Sequence, residues 1–460
     1  MIKFKEINDG LTCVTGLTSE LESLYINDVY NKKDSNVLVV TSSIYEANKL
    51  YDSLINYNKN VYLYQMDDFI ASESAISSPE LMINRIETLN SIVFDNTKKI
   101  VITNLMGLLR FLPTLDNYKN SLINIEKNMD IDKDELYKKL CINGYNTSSL
   151  VTKTGEISNR GYILDIFPVN EDNAIRIEFF GDTIDSIRYF DVNTQLSYKE
   201  IDKVSIYPFT EFIVDQLIDD EDRKQKFLPK YGNISKLNDY LDSPILVYKD
   251  YNDIKASNAV LESEIVSYKE NNNNCDKFMY SLGEFHEECE IYILSVDNML
   301  PSIKVDDTHN YTSYTPLNYN DDFDKLNEDL KMYLNTSKTI IICLNNEHTI
   351  NNISKYINYK VHKTTFDNIA TKAINVVKSN IASGYIYEDY VVLSESNLFK
   401  TSEKVSNYRS KFKYGTKISK IESLSVGDYV VHNTHGIGRY LGIIALKKGD
   451  LVKDYLQIQY

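Results

Sequence analysis

Val37-Leu-Val-Val40-Thr-Ser-Ser43-Ile-Tyr-Glu46-Ala47 decides the fold class of this chain. Four consecutive apolar, mostly β-branched residues are too few for a helix and suit a strand buried on both faces of a parallel sheet. Ser43 and Glu46 then have the spacing of a capping box, which opens a helix. Ala47, Leu50, Tyr51, Leu54 and Ile55 recur behind it at helical spacing. Val61–Tyr64 and Ile100–Thr103 read as further strands, with a helix around Pro79–Val93 between them. Strand, helix, strand in this rhythm implies right-handed crossovers and a parallel sheet. The expectation is an α/β multidomain chain whose first α/β part spans 1–117.

The pattern changes over 118–207. After a helix near Asp132–Leu140, apolar and polar residues alternate through Tyr162–Phe167, Ala174–Phe180 and Thr183–Tyr189, and Gly181-Asp182 is a hairpin-type turn. This segment reads as an α+β insertion. The second part of the α/β domain follows at 208–319, with strands Pro244–Tyr248 and Ile291–Ser295. A small α/β domain is expected at 320–397, from the helix Phe323–Leu334 and the strands Thr339–Leu344 and Tyr390–Leu393. A basic linker covers 398–423, where seven Lys or Arg between 400 and 420 stand against Glu403 alone. In 424–460, Asp428–Val431 and Arg439–Ile444 read as strands flanking a turn at Gly436 and Gly438, and Tyr455–Tyr460 as a third strand. Two or three strands are marginal alone.

A formal net charge of −16 argues against a chain that grips DNA through its bulk charge, since phosphate neutralisation supplies most non-specific affinity. The five cysteines are dispersed, without a CxxC pair, which suits reduced thiols in the cytosol. Charges interrupt the N-terminal residues where a signal peptide needs an apolar core. A cytoplasmic monomer is expected. The 36 Tyr and absent Trp look like genome bias and carry no functional reading.

Two motif sets carry a resemblance, Arg160 of one standing 266 positions before Val426 of the other. Ser425-Val-Gly-Asp-Tyr-Val-Val-His432, His435-Gly-Ile-Gly-Arg-Tyr440 and Asp454-Tyr-Leu-Gln-Ile-Gln-Tyr460 resemble the RNA-polymerase-interaction domain that bacterial transcription-repair coupling factors share with CarD-type polymerase binders. Arg160-Gly-Tyr-Ile-Leu-Asp-Ile-Phe-Pro168, Ile175-Arg-Ile-Glu-Phe-Phe-Gly-Asp182, Ile187-Arg-Tyr-Phe-Asp191 and Thr194-Gln195 resemble the module those factors share with the excision-repair protein UvrB. The resemblance implies a degenerate UvrB-like parallel-sheet domain with its α+β insertion, a small α/β domain, and an incomplete Tudor/SH3-like β-barrel at 424–460. It implies the adaptor part of such a factor, cut within its polymerase-binding domain. Its partners would be UvrA and, weakly, the RNA polymerase β subunit. The ATP- and Mg-dependent translocase motor, through which the family holds double-stranded DNA, is missing. An active UvrB-like helicase subunit and a CarD-like transcription regulator are the alternatives. The segment Gln65–Leu81 is too short for the aromatic DNA-clamping hairpin of UvrB, and a CarD-like regulator would explain 424–460 alone.

The site residues divide into three groups. Val14-Thr-Gly-Leu-Thr-Ser-Glu20 stands where the UvrB-like fold carries a phosphate loop. Gly16 remains, but Ser19 takes the lysine position and Glu20 the hydroxyl position, so no nucleotide cofactor is expected there. Arg160, Arg176 and Phe180 match the UvrA-binding surface: a guanidinium fork suits a partner carboxylate and Phe suits an interface anchor. The competing local reading pairs Arg176 with Glu178 or Asp182 and buries Phe180 in the hairpin. His435, Gly436, Gly438, Arg439, Tyr440 and Leu446 match the polymerase-binding segment. His432 and His435 lack further ligands for a metal, and His286-Glu-Glu-Cys289 reads as solvated loop. No catalytic constellation stands out.

Overall fold

The computed structural model describes residues 2–8, 10–67, 79–214, 216–218, 223–272, 277–286, 289–295, 304–400, 427, 429–432, 436–448 and 451–459. Most of the basic linker and much of 65–81 lie outside them. The chain divides into two compact units, Met1–Phe412 and Lys413–Tyr460.

The first unit is built on a seven-stranded, fully parallel sheet. Its strand order is Asp307–Asn310, Thr12–Leu17, Cys289–Ser295, Ile245–Lys249, Val37–Thr41, Ile100–Asn104, Val61–Tyr64. The central strands are buried throughout, as their unbroken apolar runs required. Val37, Val39, Ile100, Ile102, Val247 and Ile291 face the helices Ser19–Lys32 and Ile44–Leu54. Leu38, Val40, Val101, Leu246 and Tyr292 join a second core with Leu89, Ile254 and Leu261. Ser43 caps the second helix as its sequence foretold, accepting from the Glu46 amide at 3.3 Å.

The insertion is a six-stranded sheet in the order Ser197–Ile201, Thr183–Phe190, Ala174–Phe180, Ile163–Ile166, Glu156–Arg160, Asn146–Thr147, antiparallel except at its last pair. Its helix Lys133–Ile142 is capped by Asp132. The helix Pro79–Phe94 serves two cores: Leu89 packs with the parallel sheet, while Ile83 and Ile86 pack with Leu136, Leu164, Ile175 and Ile187 of the insertion.

A further six-stranded sheet, in the order Ser313–Tyr314, Tyr385–Tyr387, Tyr390–Leu393, Thr339–Leu344, Ile374–Lys378, Val361–Thr364, carries the helix Phe323–Asn335 on one face. Ile341, Cys343, Val377 and Val392 of its other face share the core with Leu21 and Ala47. His286 and Cys289 are not one loop: the first closes a short helix, Gly283–His286, and the second opens a strand.

The second unit is an antiparallel meander of Tyr429–His432, Gly436–Lys448 and Leu451–Gln459. Gly436 and Gly438 do not form the turn; they lie in the central strand opposite His432 and Val430. The positive φ values fall instead at Gly427 and at Gly442, where the register shifts between Tyr440 and Gly442.

Candidate functional site

The insertion's outward face is laid out by strand register. Ser158, Asp165, Arg176, Arg188 and Glu200 form one row across five strands. Arg160, Ile163, Glu178 and Ser186 form the next. Successive rows two residues apart share a face, so Arg160 and Arg176 converge although 16 positions separate them. Between them lies Asp165, with 0% side-chain exposure.

Arg176 donates to both Asp165 oxygens, Nε to Oδ1 at 2.7 Å and Nη2 to Oδ2 at 2.9 Å. Its Nη1 donates to the Gln195 carbonyl at 3.1 Å, and the guanidinium lies 4.8 Å from the Phe190 ring centroid. Only 14% of the side chain is exposed. Arg160 donates to Asp165 from Nη2 at 2.5 Å and is 43% exposed. The local pairing of Arg176 with Glu178 or Asp182 therefore does not form. Glu178 lies 3.4 Å from Arg188 instead. Phe180 does not fill the hairpin: it is 83% exposed, beside a Gly181 whose φ of 65° makes the tight turn. Tyr162 is exposed on the adjoining turn, and its carbonyl accepts from the Phe179 amide at 2.9 Å. The face thus offers a paired arginine cluster and an unsupported aromatic ring, the two features that protein interfaces concentrate.

At the phosphate-loop position, the Thr18 amide is taken by Ser313 Oγ at 2.9 Å. Ser19 opens the first helix, and Glu20 turns inward. The Glu20 carboxylate accepts from Ser53 Oγ at 3.1 Å, from the Ser383 amide at 3.0 Å and from the Tyr57 hydroxyl. Burial pushes its carboxyl above the ordinary value, opposed by those hydrogen bonds and one from the Ala382 amide. An adjacent cavity of about 150 Å³ is lined by Glu20, Glu22, Glu46, Lys49 and Lys249 among others. Lys249 is 2.9 Å from Asp250 and 3.5 Å from both Glu22 and Glu46. Three carboxylates, Glu20, Glu22 and Glu46, thus line the cavity together with Lys49 and Lys249, and buried carboxylates repel a phosphate.

Because its folded-state value is raised, ionised Glu20 works against folding. Its cost is absent below the ordinary Glu range, at about pH 4.3, and appears as pH rises through the raised value. Glu20→Gln is expected to be at least as stable as wild type at about pH 8 and to lose that margin on acidification. Glu20→Ala leaves the Ser383 amide and two hydroxyls without an acceptor and should cost roughly 1–3 kcal/mol. Thermal denaturation of the three proteins across that pH range checks both; a Gln variant less stable than Ala at high pH would refute the assignment.

Sequence reasoning missed a buried hub. Glu211 accepts from Arg85 Nε at 2.9 and 3.0 Å, from Arg110 Nη2 at 3.1 Å and from Tyr64 OH at 2.8 Å. Burial alone would push its carboxyl up; Arg110 and Arg85 outweigh that and hold it below its ordinary value. The available signal was an acid set inside the apolar run Phe209–Val214.

Of the polymerase-segment residues, Tyr440 is buried, and its carbonyl accepts from the Gly427 amide at 2.8 Å. Arg439 Nε donates to the Gly427 carbonyl at 3.3 Å. Gly436 and Gly438 are strand residues, Leu446 stands opposite Lys453, and His435 lies outside the described residues.

Comparison with known proteins matches residues 123–212 to the UvrB interaction domain and 424–460 to the CarD-like/TRCF RID domain. The transcription-repair-coupling factor of Staphylococcus haemolyticus is 28% identical over 522 aligned positions, covering 100% of this chain. Those of Staphylococcus epidermidis and Staphylococcus aureus are each 27% identical, over 97% and 98% of it. Over its whole length the chain is similar to the transcription-repair-coupling factors. It spans less than half the length of these relatives, 43–44%. Both matched modules lie where the family motifs do, and the arginine–phenylalanine face falls inside the first. No described helix is long and apolar enough to cross a membrane.

Proposed function

We propose that this chain is the adaptor part of a transcription-coupled nucleotide excision repair factor, recruiting UvrA through the insertion and contacting RNA polymerase through the 424–460 segment. The observation that carries this is the outward face of the 123–212 module, where two arginines share one buried carboxylate and Phe180 is exposed at the end of the strand that carries Arg176. The meander of 429–459 is the polymerase-facing element, part of a Tudor/SH3-like barrel, and is read so from its match to the RID domain.

Phe180 is the cleanest probe, because an 83% exposed ring contributes little to the fold. Phe180→Ala should weaken UvrA binding by about 2 kcal/mol, roughly thirtyfold, with no change in thermal unfolding. Titration of labelled UvrA with both proteins measures this, and equal affinities would remove UvrA from this face. Arg176→Ala is the poorer probe: it strips Asp165 of a bidentate partner and should itself cost about 3 kcal/mol of stability.

The phosphate-loop position takes no part in nucleotide chemistry on this reading. Equilibrium dialysis with labelled ATP and magnesium should show no saturable binding at micromolar nucleotide; saturation there would show that Glu20 moves aside.

A further inference from the structure

The two arginines on the insertion face are held differently by the same carboxylate. Arg176 is spent inside the molecule: Nε, Nη2 and Nη1 each have an acceptor, and an aromatic ring lies beneath the plane. Arg160 is tied at one corner only, by Nη2, and its Nε and Nη1 meet no acceptor among the described residues. A guanidinium binds a carboxylate best with one whole edge, and its affinity depends on how little side-chain freedom remains to be lost. Arg160 stands on a strand end beside the Gly161 turn, where a long side chain would otherwise sample many rotamers.

We propose that Asp165 is a positioning residue for partner recognition: it absorbs Arg176 as a fixed support and pins Arg160 so that its free edge is presented to a carboxylate of UvrA. This rests on the reading that UvrA docks on this face. Arg160 makes the contact, Arg176 holds Asp165 in place, and Asp165 never touches the partner. The fully buried carboxylate gives the face one net positive charge with a fixed direction, in place of two mobile ones.

The test is a double-mutant cycle on the full chain, read as UvrA affinity. Arg160→Ala should weaken binding roughly tenfold or more, and Arg160→Lys by nearly as much, because the charge survives but the edge does not. Asp165→Asn should weaken binding to a similar degree in the wild-type background and less than about twofold in the Arg160→Ala background. A full additional loss from Asp165→Asn on top of Arg160→Ala, or none in wild type, overturns the positioning role while leaving the docking face intact. Unchanged binding by both Arg160→Ala and Phe180→Ala overturns the docking reading itself. Should Asp165→Asn fail to fold, guanidinium NMR of the wild-type chain labelled with ¹⁵N-arginine decides. Hindered rotation at Arg160 supports the tether, and free rotation refutes it.

Discussion

Replacing Glu211 by Ala should destabilise the first unit by at least 3–5 kcal/mol, the range for removing one member of a buried ion pair. The variant would leave Arg85 and Arg110, both largely buried, facing each other without an anion, and Tyr64 without its acceptor. Glu211→Gln should do nearly as badly, since a neutral amide cannot compensate two guanidinium groups. The sign with pH is fixed by the lowered carboxyl of Glu211. Its stabilisation is fully present above the ordinary Glu value, about pH 4.3, and is lost as pH falls through the lower folded value. The gap between wild type and Glu211→Ala should therefore close in acid. Urea denaturation at about pH 7 and pH 3 measures it; a gap below about 1 kcal/mol at neutral pH would show that the hub is dispensable. A triple replacement of Arg85, Arg110 and Glu211 by Met should be far milder, because an apolar trio leaves no buried charge unpaired.

The second large effect is expected at Gly16. A Cβ added there would lie 2.0 Å from the Tyr311 carbonyl oxygen, at a φ of +78°. The position is a bulge: the register with Cys289–Ser295 shifts between Thr15 and Leu17. The chain at 311–313 closes over it, Tyr311 N donating to the Thr15 carbonyl at 2.9 Å and Ser313 Oγ to the Gly16 carbonyl at 2.7 Å. Left-handed backbone costs a non-glycine residue roughly 1–3 kcal/mol, and displacing packed backbone costs a comparable amount again. Gly16→Ala should therefore lower the unfolding midpoint sharply. An Ala variant as stable as wild type would mean that 311–313 can retreat without loss. The close approach of the chain at Tyr311, just past the strand Asp307–Asn310, accounts for a glycine at this position.

What the sequence showed and what it hid follow from the range of the interactions. The parallel strands and their capped helices were legible because apolar runs and caps are local signals: Val37–Thr41, Val61–Tyr64, Ile100–Asn104 and the Asp132-capped helix fall within a residue or two of their expected bounds. The hairpin at Gly181 was legible for the same reason. The meander was misread at Gly436 and Gly438 because glycine marks turns on average, yet here it continues a strand. The partners of Arg176 were hidden because Asp165 meets it only through antiparallel register, and nothing local distinguishes it from the nearer Glu178. The acid inside Ile163-Leu-Asp165-Ile was a usable hint, since a carboxylate in an apolar run needs a cation from somewhere. Glu211 is the same signal on a longer scale: its cations come from 126 and 101 positions away.

The helix Pro79–Phe94, with one face in each of two cores, sets what can be cut from this molecule. A piece limited to the matched residues 123–212 would carry Leu136, Leu164, Ile175 and Ile187 but leave behind the Ile83 and Ile86 that cover them. It would expose an apolar trough and also lack Arg85, so that Glu211 would lose its anchor. The minimal autonomous fragment therefore begins before Pro79. Within the intact chain, amide exchange in the insertion core should follow that of the parallel sheet, since one helix must leave both for either to open.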